Sequence, residues 1–335
     1  MKIEVSAPPA ARQAGAYQYG RYPGPIADPN VSVPGVMGRM RLKEWHYLSA
    51  TTDRWFVAFA LVQLGYVANI FAYVIDREDP ANKREFEALS PGGRGLSFAK
   101  SSTEGVTLWD AKGARVRVSS EPGQWRAELD LPLGDERLEG EFFVKPEGES
   151  LGLLFELEKD RAAYTHKAAG LPAGGALRLG GRDVDLGNAL GASDWTRSAA
   201  RRTTKWNWAA FSGHAVDGRR VGLNLSADVY DNAAGVSQEN VLFVDGKLYA
   251  LEGVRFEMPK NPSREPWRLR SVGGDWLSLD FTPLGARKQR LNLGVIRSDF
   301  IQPYGTFAGT IKVPGEAPIE LGNVFGVVED HLAVW

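Results

Sequence analysis

The chain of 335 residues contains no cysteine. Disulfides, thiolate metal sites and cysteine nucleophiles are therefore excluded, while the redox compartment stays open, because a cysteine-free chain suits either environment. An excess of one charge is missing as well: 40 lysines and arginines face 41 aspartates and glutamates, a formal net charge of -1. Proteins that bind nucleic acid normally carry a clustered basic excess, so no nucleic-acid partner is expected. The basic pairs Arg201 with Arg202 and Arg219 with Arg220 read as solvated loop charge. No stretch approaches the ~20 apolar residues of a membrane-spanning helix, and residues 1–13 lack the apolar centre of a signal peptide. A soluble cytoplasmic protein without a membrane span is the expectation.

Helical signals are equally scarce. Nothing shows the strand–helix alternation that a parallel α/β sheet requires, and the glycines between residues 163 and 202 do not follow a strand and open a helix as a phosphate-binding loop must. They read as turns between short strands. One helix is expected, at 80–88, where Asp79 offers an N-cap and Pro80 a first helical residue. Residues 1–40, with prolines at 8, 9, 23, 25, 29 and 34, read as an extended arm that Tyr17, Tyr19 and Tyr22 pin by ring packing.

What the sequence has in quantity is short strands. A hairpin stands out: Thr204 through Phe211, rich in aromatic residues, returns after a Gly- and Asp-bearing turn through Val221 to Tyr230. A weaker copy sits at Lys43, Glu44, Trp45, His46 and Tyr47 with its return at 55–63. Between and after them come strands expected at 42–48, 67–76, 106–109, 115–119, 124–131, 138–145 and 151–157, then 239–244, 247–258, 267–272, 276–282, 289–297, 305–313 and 327–335. At this length two domains are expected, and each half is a run of antiparallel strands opened by a Trp-bearing hairpin. The boundaries are an arm at 1–40, a first barrel at 41–200 and a second at 201–335.

Several motifs resemble those of a bacterial two-barrel family catalogued as a domain of unknown function. They are Lys205-Trp206-Asn207-Trp208, Val221-Gly222-Leu223-Asn224-Leu225, Glu239-Asn240, the stretch from Phe300 to Gly309 with Tyr304-Gly305, and Gly326 to His331 followed by Trp335. More distantly, Tyr164-Thr165-His166-Lys167 before Gly170-Leu171-Pro172 is similar to the carotenoid hydratase and AttH-like proteins of the calycin group. The resemblance implies an all-β fold of two consecutive lipocalin-like antiparallel β-barrels, a Pro-rich N-terminal arm, little helix, and lipophilic ligands.

Side chains alternate across a strand, so the last strand sorts into two faces. Val327, Glu329, His331, Ala333 and Trp335 lie on one; Val328, Asp330, Leu332 and Val334 on the other, which reads as core. Glu329 and His331 are neighbours on their face and form a candidate acid–base pair. Inside an apolar barrel, desolvation would keep such a carboxyl protonated, ready to donate to a double bond or a leaving oxygen. Asp228 is a further candidate acid. On the hairpin, Asn224, Ser226, Asp228 and Tyr230 share a polar face that either lines a cavity mouth or meets water. Trp206 and Trp208 share a side, and the echo at Trp45 and Tyr47 favours barrel closure over a ligand platform. Trp206, Trp208, Asn224, Tyr230 and Trp335 are nonetheless the candidate ligand contacts.

His46 and His166 have no histidine or carboxylate at metal-ligand spacing and His214 reads as an exposed residue of the hairpin loop, so no metal and no cofactor is expected. No Gly-x-Ser-x-Gly elbow is present. The favoured function is binding, or cofactor-independent conversion of hydratase, lyase or cyclase type, of a hydrophobic small molecule. A carbohydrate-active protein with stacked tryptophans and carboxylates such as Asp228 and Glu239 paired in space, and a structural module without a ligand, are the alternatives. Oligomeric state is not legible.

Overall fold

The structure, a computed structural model, describes residues 2–33, 35, 38–159, 161–292 and 296–335. Residues 1, 34, 36 and 37 of the expected arm, and 293–295 in the middle of the strand expected at 289–297, lie outside the described residues. The chain divides into two compact units, Ile3–Ala200 and, with Lys2, Arg201–Trp335. The fold is all-β, and each unit is built on one antiparallel sheet curled into a lipocalin-like half-barrel.

In the first unit the strands are β1 Lys43–Thr51, β2 Trp55–Gln63, β3 Val67–Asp76, β4 Arg84–Pro91, β5 Leu96–Ser97, β6 Gly105–Ala111, β7 Ala114–Glu121, β8 Gln124–Leu133, β9 Glu136–Val144, β10 Leu151–Glu158, β11 Arg161–Leu179, β12 Arg182–Asp185 and β13 Ala189–Ser198. Their order across the sheet is β4-β3-β2-β1-β13-β11-β9-β8-β7-β6-β5, with β10 and β12 pairing to β11. Arg84 on β4 reaches Glu136 at the head of β9, 2.9 Å away, across the opening of the curl. Alternation decides the core: Leu48 and Ala50, Val57, Phe59 and Leu61, and Ile70, Ala72 and Val74 all turn to one face. Burying each large side chain there contributes roughly 1.5–3 kcal/mol.

Two local expectations are corrected. Residues 80–88 are not a helix: tight turns at Asp79 and Asn82 lead into β4, which pairs with β3. Phe86 and Ala88 pack on the core while Glu85 and Glu87 stay outside, and this period-two burial outweighs the cap signal of Asp79 and Pro80. The Gly-rich stretch is turns only in part: β11 runs for 19 residues through Gly170, Gly174 and Gly175, and the chain turns at Gly180 and Gly181. Gly170 at φ +69° allows the register shift between Ala168 and Leu171, so one bent strand changes partners without ending.

The arm crosses the end of the first sheet. Gly20–Tyr22 adds a strand to β10, the Ile26 N–H donates to the Tyr164 hydroxyl at 2.9 Å, and Tyr17, Tyr19 and Tyr22 pack with Ile26, Tyr164 and Trp195. Among the described residues the only helix is the single turn Gly38–Arg41.

In the second unit the strands are β14 Thr203–His214, β15 Arg220–Ala227, β16 Val241–Val244, β17 Lys247–Ala250, β18 Val254–Glu257, β19 Trp267–Ser271, β20 Leu277–Asn292, β21 Arg297–Ile311 and β22 Ile319–Val334. The sheet order is β17-β16-β15-β14-β22-β21-β20-β19-β18. The strand expected at 247–258 is two, interrupted where the Leu251 N–H donates to the Asn240 carbonyl. The strands expected at 276–282 and 305–313 are instead parts of the long β20 and β21, which bend at a register shift between Pro283 and Gly285. Gly305 and Gly326 sit opposite one another. A Cβ on Gly305 would fall 2.0 Å from the Thr282 carbonyl oxygen, and one on Gly326 2.4 Å from that of Ala210. Both positions need a bare backbone for the strands to coil. Phe211, Phe281 and Phe307 centre the apolar core on one face of this sheet.

The first unit also carries a buried layer of histidines. His46, Trp195 and His166 are directly opposite one another on β1, β13 and β11, on the face of the apolar core. His46 Nδ1 meets the Thr107 hydroxyl at 3.0 Å; His166 bonds the hydroxyls of Ser102 at 3.0 Å and Ser150 at 2.8 Å. Burial, reinforced for His46 by His166, lowers the two from the ordinary 6.5 to about 3 and about 4. In the unfolded chain both take up protons first as pH falls, so this part of the stability is intact above 6.5 and is lost as pH drops toward the folded values. Each tenfold weakening of proton affinity on folding corresponds to ~1.4 kcal/mol, and urea denaturation followed from pH 7 down to pH 4 is expected to record a loss of several kcal/mol. The slope against pH should be shallower in His166→Gln, whatever its stability at neutral pH.

Candidate functional site

The candidate site lies on the second unit's sheet, on the face turned away from the Phe211–Phe281–Phe307 core. Cross-strand pairing sets it out in rows. Gln289, Phe300, His331 and Trp206 stand opposite one another on β20, β21, β22 and β14; two residues along are Arg287 and Gln302, then Glu329, Trp208 and Ser226. Residues opposite in register share a face.

Glu329 is 7% exposed. The Trp206 indole N–H donates to its Oε1 at 2.7 Å and the Gln302 amide to its Oε2 at 2.8 Å. Charge-assisted hydrogen bonds of this length fix both oxygens and hold the carboxyl plane in one orientation. His331 Nδ1 is 3.8 Å from Glu329 Oε1, beyond a hydrogen bond but close enough for a proton taken up by the ring to meet a carboxylate. The other ring nitrogen, Nε2, is 2.9 Å from the Ser298 hydroxyl. Aromatic rings enclose the imidazole: Trp206 at 4.2 Å between centroids, Phe300 edge-on at 5.0 Å and Trp335 at 6.5 Å. Trp335 stacks on Trp206 at 6.4 Å and donates its N–H to Thr204 at 3.3 Å. The arrangement is a carboxyl beside an imidazole in a half-buried aromatic wall.

Of the residues singled out in the sequence, Glu329, His331, Trp206 and Trp335 come together here. Trp208 and Asn224 form an adjoining group: the Trp208 indole donates to Asn224 Oδ1 at 2.9 Å, and the Asn224 amide donates to the Glu239 carbonyl at 3.0 Å. Ser226, also buried, shares a hydrogen bond with Ser237 at 2.6 Å. The polar face of the hairpin is thus dry where Asn224 and Ser226 stand. Asp228 lies apart. It is exposed at φ +76°, its side chain 3.3 Å from Lys205. The pKa of the neighbouring Asp231 carboxyl is raised by burial; the hydrogen bond from the Asp228 N–H opposes this, while the Asp228 charge adds to it. Tyr230 is buried in the loop after β15, its carbonyl accepting from the Gln238 N–H. Glu239 is buried whereas Asp228 is exposed.

The barrel-closure reading of the tryptophan pair is corrected. Trp206 and Trp208 face away from the apolar core, as do Trp45 and Tyr47 in the first unit, where Leu48 and Ala50 turn inward. Gln302, Ser298 and Phe300 were missed, since that strand was expected to begin at 305. The alternation of Ser298, Phe300, Gln302 and Tyr304 along one face was the signal available. Among the described residues no group of three or more His, Cys, Asp or Glu is placed to hold a metal ion, and no helix is long and apolar enough to cross a membrane.

The chain belongs to the family described as Domain of unknown function (DUF2804), which matches residues 10–335. A search of curated proteins finds no match. Among solved structures, an AttH-like protein from Nitrosomonas europaea aligns with 86% of this chain and 92% of its own at 12% identity and a TM-score of 0.49. Kievitone hydratase from Nectria haematococca aligns over 93% and 98% at 10% identity and 0.48, and CghA with Sch210972 over 93% and 94% at 14% and 0.47. The resemblance to a family catalogued as a domain of unknown function, read from the sequence, is borne out by the family match.

Gln302→Leu removes one of the two donors to a buried carboxylate and is expected to destabilise the protein by about 1.5–3 kcal/mol. Chemical denaturation of Gln302→Leu, Glu329→Gln and the double variant checks the coupling. A Gln302→Leu effect equally large in the Glu329→Gln background would mean that the bond contributes nothing of its own.

Proposed function

We propose that this DUF2804 protein binds a lipophilic small molecule at the Glu329–His331 face and converts it without a cofactor, by hydration, elimination or cyclisation. The observation that carries this reading is the fixed carboxyl of Glu329 beside His331 within the wall of Trp206, Phe300 and Trp335. Adding water to a double bond, losing it, or closing a ring through one all require a proton delivered or removed at carbon or at a leaving oxygen. A carboxyl and an imidazole on adjacent same-face positions can divide those two transfers. Positive charge developing on carbon is favoured by the π faces of tryptophan and phenylalanine, which also supply apolar contact for the substrate body.

The remaining candidates take supporting places in this reading. Trp208 and Asn224 brace the adjoining row. Asp228, exposed and paired with Lys205, is assigned no proton transfer. Stacked sugar binding requires tryptophan faces open along a groove and a pair of facing carboxylates. Here Trp206 and Trp335 stack on one another, and Asp228 and Glu239 differ in burial, which favours the lipophilic reading.

Retinoid- or polyene-type ligands are expected to quench tryptophan fluorescence where oligosaccharides do not. Across a panel of lipophilic alkenes and tertiary alcohols, Glu329→Gln and His331→Ala should each lower turnover by roughly 10²–10⁴-fold. Wild-type turnover in both variants, or quenching by oligosaccharides alone, would remove the assignment.

A further inference from the structure

We propose that Ser298, His331 and Glu329 form a hydroxyl–imidazole–carboxyl relay that gives this face a second activity, hydrolysis of uncharged esters of lipophilic acids. The proposal shares with the function above the Glu329–His331 pair and the apolar wall, and adds Ser298. The order of groups carries it: Ser298 Oγ is 2.9 Å from His331 Nε2, and His331 Nδ1 is 3.8 Å from Glu329 Oε1. With a carboxylate facing Nδ1, the favoured neutral tautomer carries its proton there, leaving the Nε2 lone pair to accept from the serine hydroxyl. That is the tautomer a general base needs. Such relays recur on unrelated folds and are recognised by geometry and role, so the absence of a Gly-x-Ser-x-Gly elbow does not weigh against one on adjacent antiparallel strands. The longer second step falls within the looseness seen at catalytic contacts before substrate binds.

Each member is held by its neighbours. Glu329 is fixed by Trp206 and Gln302, and His331 is confined between Trp206 and Phe300. Ser298, the second residue of β21, is only partly buried, as a nucleophile that must meet a substrate has to be. Gln289 stands beside Ser298, its amide oxygen 3.3 Å from Oγ and able to accept from the hydroxyl. An acyl chain leaving this hydroxyl along the sheet face meets Phe300, Trp206 and Trp335, which selects apolar acids.

In the reaction, Ser298 Oγ bonds to the ester carbonyl carbon as its proton passes to His331 Nε2. The bond from carbonyl carbon to alkoxy oxygen then breaks, and the imidazolium, facing Glu329, returns that proton to the departing alcohol. Water attacks the acyl-serine in the same way, giving one proton to Nε2; collapse releases the carboxylic acid and hands that proton back to Ser298 Oγ.

An alkyl fluorophosphonate is expected to label the folded protein at one site per chain, on the peptide bearing Ser298, and p-nitrophenyl octanoate to be hydrolysed with an initial burst. Ser298→Ala, checked for folding by near-UV circular dichroism, should abolish both. His331→Ala should lower kcat by about 10³–10⁴-fold. No adduct on Ser298 in the folded wild-type protein, or hydrolysis that survives in Ser298→Ala, would overturn the relay. Polyene quenching measured on the same wild-type preparation separates the two readings: quenching without label removes the relay alone, and label without quenching removes the lipophilic-ligand reading alone.

Discussion

The two-residue repeat of an extended strand, imposed on sheets that have one apolar face, is the constraint from which the rest of this structure follows. In the second unit Ala209, Phe211, Leu223, Leu225 and Val328 must turn to the core. Once they do, Trp206, Trp208, Asn224, Glu329 and His331 have to lie on the opposite face, since the side-chain period is two. Slipping β22 by one residue against β14 would exchange Val328 for Glu329 and bury an unpaired carboxyl among phenylalanines, at a cost that far exceeds the few kcal/mol of a packing defect. The apolar core therefore fixes the site without touching it.

This explains which parts of the molecule were legible in the sequence. Strands β2 and β3 were read with the boundaries they have, 55–63 and 67–76, because β-branched and aromatic runs ended by turn residues leave little choice. The common face of Glu329 and His331 followed from counting along one strand. Partners on other strands were a different matter: Gln302 and Ser298 enter only through the pairing of β21 with β22, and a single strand carries no record of its neighbour. Glycine and proline misled where they bend strands instead of ending them, at Gly170 on β11 and between Pro283 and Gly285. Asp79 and Pro80 gave a sound local cap signal that the alternation of Phe86 and Ala88 against the core outweighed.

Both units place histidines in cross-strand rows, and the groups around each row give them different capacities. His166 lies between the hydroxyls of Ser102 and Ser150. A neutral imidazole offers one donor and one acceptor, and a hydroxyl can answer either, so that ring is fully satisfied without charge inside an apolar core. His331 has a hydroxyl on one side and a carboxyl on the other. The first arrangement resists a proton on the ring; the second sets a carboxyl 3.8 Å from one ring nitrogen. Histidine content alone could not distinguish them; the face of the sheet and the partner atoms do.

The identity of Trp206 follows from the same reasoning. An aromatic plug needs bulk, and phenylalanine would serve; Trp206 supplies two functions that bulk does not. Its indole N–H holds Glu329 Oε1 at 2.7 Å while its ring lies against the imidazole of His331 at 4.2 Å. One side chain thereby sets the positions of both Glu329 and His331, and it can do so because β14 places it opposite His331 and one row from Glu329. A buried carboxyl without such a donor would be free to rotate away from the imidazole or to pair elsewhere. With indole and amide on its two oxygens the carboxyl is held in one orientation beside the imidazole.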